Sequence, residues 1–228
     1  MSITPRRRRL SVCGFLLYCL TAEITAKELQ LRNETLAQTE LGRQLLKYMV
    51  SCALPADESV SVTVELEKYV FQGGLGLVPQ WTRRSMTEPE KRKLSACLAA
   101  HTNFFGKPVQ ISLRSDDPAA PDGLKTTAEE RESFPFFEGG FFGNYFIPNP
   151  VGYVCLGDTP TERDQHLSRL LRVCTLAKEE TADASLCDFK IVGLCKDKPF
   201  VQDGIDYSQE ILWVYLPPPG PLSELPTQ

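Results

Sequence analysis

Between Thr39 and Ala53 the apolar residues Leu41, Leu45, Tyr48, Met49 and Cys52 recur at helical spacing, while Glu40, Arg43, Gln44 and Lys47 fill the other side. This pattern predicts an amphipathic helix stopped by Pro55. Val60, Val62, Val64 and Leu66 then alternate with Ser61, Thr63 and Glu65, the signature of a strand with one covered face. The phase changes through Tyr69, Val70 and Phe71, as at a bulge, and Gln72 to Gln80 is glycine-rich and reads as a loop. Thr87 and Glu90 stand at capping-box spacing with Pro89 in the first turn, so a second helix is expected to run to about Thr102. Its inward stripe would be Leu94, Cys97, Leu98 and His101.

Val109, Ile111 and Leu113 predict another half-covered strand, and residues 116–131 are polar and broken by Pro118 and Pro121. Val151 to Leu156, Phe189 to Leu194 and Glu210 to Leu216 are further strand candidates. Glu162 to Cys174 places Leu167, Leu170, Leu171 and Cys174 on one helical face. The proline run that begins at Pro217 opens a tail, residues 217–228, that cannot join a sheet. The alternation of periods predicts an α+β domain: an antiparallel or mixed sheet built from the segments near 60, 109, 151, 189 and 210, packed by two or three helices and stabilised by disulfides.

The N-terminus changes the picture. Arg6 to Arg9 precede an uncharged, mostly apolar run from Leu10 to Leu20, the n-region and h-region of an export signal. Eleven helical residues reach roughly 16 Å, about half of a bilayer's hydrocarbon core. The run is therefore expected to be a leader rather than an anchor, cleaved after Ala22 or, preferably, after Ala26. Tyr18 stands where a lipoprotein signal wants a small residue, which disfavours lipid attachment at Cys19. The expected organisation is a leader over 1–26, one globular domain over 27–216 and the tail. The chain has 228 residues and a net charge of −4, and loss of the leader leaves 21 basic and 28 acidic residues, a charge of −7. An acidic domain gives no reason to expect nucleic acid as a partner.

Cleavage also leaves six cysteines, Cys52, Cys97, Cys155, Cys174, Cys187 and Cys195, an even set that in an exported chain predicts disulfides. Cys52 and Cys97 lie on the apolar stripes of two predicted helices, which suggests that they bridge. Cys187 and Cys195 bracket an apolar stretch and suggest a local loop, leaving Cys155 with Cys174. The lack of a CxxC pair argues against structural zinc. Phe134 to Phe146 holds seven of the 21 aromatic residues with three glycines. Its first interpretation is core; its second is a binding surface formed by Phe141, Phe142, Asn144 and Tyr145 for a protein, peptide or glycan.

Catalytic signatures are sparse. Cys97 and His101 are a nucleophile and base four residues apart on one helix face, better explained as a bridge or core cysteine beside a helix-end histidine. Asp203, Asp206 and Glu210 miss the spacing of an EF-hand loop. No GxSxG, HExxH or phosphate-cradling loop is present, so no cofactor or metal is implied.

The passages LLKYMVSCALP at 45–55, GGLGLVPQW at 73–81, LSACLAAHTNFFGKPVQISLR at 94–114, EGGFFGNYF at 138–146 and CDFKIVGLC at 187–195 resemble uncharacterised exported proteins of Gram-negative bacteria. The resemblance implies periplasmic or secreted location and a recurring cysteine pattern, and brings no activity with it. The expected function is a non-enzymatic exported binding or envelope-associated domain. The alternative is an envelope hydrolase using scattered carboxylates, Arg114 or His101.

Overall fold

The computed structural model describes residues 36–103, 109–157, 174–175, 184–197 and 199–218. The expected leader, the candidate helix before Cys174 and the tail beyond residue 218 lie outside the described residues.

Helix α1 (Glu40–Ala53) begins where the Thr39 hydroxyl accepts from the Gly42 N–H at 3.0 Å, and ends at Leu54, which Pro55 holds extended. Helix α2 (Glu88–His101) carries the expected capping box. The Thr87 N–H donates to Glu90 Oε2 at 2.7 Å, and the Thr87 hydroxyl accepts from the Glu90 N–H. Between the helices, β1 (Ser59–Val64) and β2 (Glu67–Gln72) form an antiparallel hairpin with Val64 opposite Glu67. The phase change expected as a bulge is therefore a turn through Glu65, at φ +57°, and the fully exposed Leu66. The apolar alternation shifts because the chain has reversed direction.

The main sheet has the order β3 (Ser112–Arg114), β9 (Leu212–Leu216), β4 (Phe136–Asn144), β5 (Val151–Leu156), β6 (Lys190–Leu194). All its pairings are antiparallel except β5 with β6, so the sheet is mixed and the fold is α+β. Two expectations are corrected here. The strand near residue 60 belongs to the separate hairpin, and the aromatic segment is itself the middle strand, paired on both edges. Its alternating side chains supply both faces of the sheet at once, which requires apolar residues at nearly every position. The polar excursion holds a 3-10 turn (Asp122–Leu124) and a short helix α3 (Ala128–Ser133).

One face of the sheet packs Phe141, Val154, Leu212 and Val214 beneath α2, and α1 lies against α2 and β2. The opposite face carries a second apolar cluster of Phe142, Tyr153, Trp213 and Cys155, closed by Phe200, Tyr207 and Ile211. The last three come from the connection that contains the small hairpin β7 (Val201–Gln202) and β8 (Ile205–Asp206). Phe142 stacks on Tyr153 at 5.3 Å and meets Phe200 edge-on at 5.8 Å.

Three disulfides tie these parts together. Cys52–Cys97 joins α1 to α2, with Cα atoms 6.1 Å apart, as the helix stripes suggested. The other two exchange the expected partners: Cys155 pairs with Cys195 and Cys174 with Cys187. Sequence proximity misleads because β5 and β6 are neighbours in the sheet, which brings Cys195 beside Cys155 across 40 positions of chain.

Candidate functional site

Phe141, Phe142, Asn144 and Tyr145 are all buried, which overturns their interpretation as a binding surface. The Phe rings fill the two faces of β4. Asn144 closes a turn by accepting from the Phe146 N–H at 2.9 Å, and the Tyr145 N–H donates to Ser95 Oγ at 2.9 Å. Burial of each such ring is worth roughly 1.5–3 kcal/mol, so this segment is a main source of core energy.

His101 stands at the end of α2 beside the first disulfide. Its Nδ1 is 2.9 Å from the Cys97 carbonyl oxygen, 3.7 Å from Cys97 Sγ and 3.9 Å from Cys52 Sγ, and its ring lies 5.1 Å from that of Tyr48. The three side chains gather donor atoms within 4.8 Å. Both sulfurs are consumed by the bridge, however, so neither is a thiolate nucleophile or metal ligand in this state.

The carboxylates Asp203, Asp206 and Glu210 diverge. Asp203 accepts from the Tyr153 hydroxyl at 2.7 Å, Asp206 accepts from the Ser208 N–H at 2.9 Å, and Glu210 forms a buried ion pair with Arg92 at 2.8 Å. Burial is the main cause that pushes the Tyr153 phenol well above its ordinary range, and the Asp203 carboxylate adds to it. Arg114 lies 3.6 Å above the Tyr215 ring and donates to the Phe134 carbonyl oxygen at 2.9 Å. The groups named for a hydrolase thus hold separate parts of the fold together and do not converge.

A groove of about 640 Å³ runs between α1 and β2. Glu40, Arg43, Gln44, Lys47 and Ser51 form one stripe along the helix, and residues 69–73 form the opposite wall. The two walls are aligned in the same direction. The Arg43 guanidinium lies 4.9 Å over the Tyr69 ring at one end, and the Leu75 N–H donates to the Ser51 carbonyl at 2.8 Å just past the other. Arg43 also donates to the Ala37 carbonyl at 2.8 Å, and the Tyr69 hydroxyl donates to the Glu67 carboxylate, which raises the phenol pKa. Neither Arg43 nor Lys47 is in an ion pair among the described residues.

In the sequence these side chains read as the wet face of a helix. One signal was available: Arg43 and Lys47 are like charges at i, i+4, a spacing that disfavours an isolated helix. Among the described residues no helix is long and apolar enough to cross a membrane. No protein family, curated protein or solved structure gives a significant match to this chain.

Proposed function

We propose that this chain is an exported, disulfide-stabilised binding domain without catalytic activity of its own, which engages its partner along the groove between α1 and β2. The bridging of Cys52, Cys97, Cys155, Cys174, Cys187 and Cys195 carries the assignment to an oxidising compartment. Reducing cytosol keeps such thiols apart, and bridges of this kind persist in the periplasm or outside the cell. The arginine-led apolar stretch at the N-terminus and the resemblance to exported Gram-negative proteins point the same way. A binding role is supported by the groove, where cationic side chains line a concave surface, and by the structural employment of the candidate catalytic groups.

Intact-mass analysis of natively produced protein, alkylated without reductant, tests the location. The expected product lacks residues 1–26 and takes up no alkylating agent. An uncleaved chain with six or more reactive thiols overturns the reading.

A further inference from the structure

We infer that the free edge of β2 is a strand-addition site for an extended peptide with acidic side chains at alternate positions. This rests on the groove being the binding surface and specifies what fills it.

The backbone carries the first part. The hairpin register pairs Ser61 with Val70 and Val60 with Phe71, and the Gly73 N–H donates to the Glu58 carbonyl at 2.9 Å. Hydrogen-bonded pairs alternate in an antiparallel ladder. The bond at Gly73 therefore assigns Phe71, Tyr69 and Glu67 to the bonds with β1, and turns the backbone groups of Lys68, Val70 and Gln72 outward. Among the described residues β2 pairs only with β1, and no backbone bond to that outer edge is made. Such an edge is a template for one more strand. The groove spans Tyr69 to Gly73, the length of about five extended residues.

Side chains carry the second part. Phe71 is buried and Tyr69 half-buried on the face toward α1, whereas Val70 is 58% exposed on the other. A strand laid beside β2 shares this alternation. Every second residue faces the helix stripe with Arg43 and Lys47, and the residues between lie beside Val70. Arg43 and Lys47 are cations without ion pairs among the described residues, in a chain of net charge −4. Glu67 is engaged by Tyr69 at the hairpin end, and Glu40 stands in the first turn of α1. The centre of the groove is thus cationic, and the complementary ligand alternates carboxylate and apolar side chains.

The probe is a fluorescein-labelled hexapeptide of alternating Asp and Val, set against a Lys–Val version and a version N-methylated at alternate backbone positions. The Asp–Val peptide is expected to bind at least tenfold more tightly than the Lys–Val peptide. Lys47→Glu should weaken it at least tenfold, and N-methylation on the pairing edge should abolish binding without altering the protein. Amide exchange at Val70 and Gln72 should slow at least tenfold, while Tyr69 and Phe71 stay unchanged. Val70→Pro removes an outward N–H, spares the β1 ladder and should also abolish binding.

Absence of binding, equal binding of both charges, or binding that leaves Val70 and Gln72 exchange unaltered overturns the inference. So does self-association of the free domain that Val70→Pro removes, which would assign the edge to a second copy. These readouts are independent of the mass and thiol count, so the peptide assignment and the export reading fail separately.

Discussion

Cys155 and Cys195, with Cα atoms 4.8 Å apart, are bridged where the parallel pairing of β5 with β6 shifts register. The Cys195 N–H donates to the Leu156 carbonyl at 2.9 Å, so the bridge and the backbone secure the edge strand at one point. A parallel edge strand with mostly exposed or half-exposed residues has little packing of its own. Closing a loop of 40 residues contributes about 4 kcal/mol in the chain-entropy description. The double substitution Cys155→Ser with Cys195→Ser is therefore expected to lower unfolding free energy by about 2–4 kcal/mol in guanidinium titration. The β6 amides should lose exchange protection before those of β4.

The helix start at Thr87 is pH-dependent. The Arg84 guanidinium, paired with Glu90 at 2.7 Å, is the largest cause that holds the Glu90 carboxyl down at about 2, and the Thr87 N–H assists. A carboxyl depressed in the folded state stabilises above its unfolded pKa, and that contribution is lost as pH falls through the folded value. Arg84 is substantially exposed, so solvent screening reduces the effect to the order of 1 kcal/mol. Acid unfolding of Glu90→Gln should show a correspondingly shallower loss of stability between pH 4.5 and 2 than the parent.

The phenols of Tyr153 and Tyr207 are both raised, chiefly by burial. A raised phenol stabilises the fold below its unfolded pKa near 10, and this contribution disappears as pH rises through the folded value. Ultraviolet titration should show two tyrosines that ionise only with unfolding. Asp203→Asn should bring one of them, Tyr153, to lower pH.

Gly140 permits the close packing of the second cluster. A Cβ there would lie 2.5 Å from the Trp213 ring, 2.7 Å from Ile211 and 2.8 Å from the Cys155 sulfur. The indole and the bridge are both fixed, so Gly140→Ala is expected to cost about 1–3 kcal/mol through overpacking. Weakened near-ultraviolet dichroism with unchanged helix content would be the accompanying sign.

The start of α2 was legible because Thr87 and Glu90 act locally through hydrogen bonds within one turn. Helix α1 was legible from the helical spacing of Leu41, Leu45, Tyr48, Met49 and Cys52, while its Thr39 cap was not singled out. Val151–Leu156 and Lys190–Leu194 were legible as strands from their short apolar runs, another local signal. What escaped was long-range. The Glu65 turn hid inside an uninterrupted apolar alternation, and the pairing of Cys155 with Cys195 depends on sheet order, which no local pattern encodes. Phe141 and Phe142 pointed to a core but not to two cores, since their separation depends on which elements cover each face. The groove was hidden because charged helix faces usually meet only water; its meaning comes from β2 running alongside.

The Cys174–Cys187 bond is enclosed within the span of Cys155–Cys195. A polypeptide entering an oxidant N-terminus first, and joining sulfurs in order of arrival, would seal Cys155 to Cys174 before Cys187 and Cys195 emerged. That linkage must be undone before the native set can form, whereas Cys52 and Cys97 are consecutive and close correctly at the first attempt. Under that order of closure, maturation of the second half of the domain would call for a shuffling isomerase as well as an oxidase.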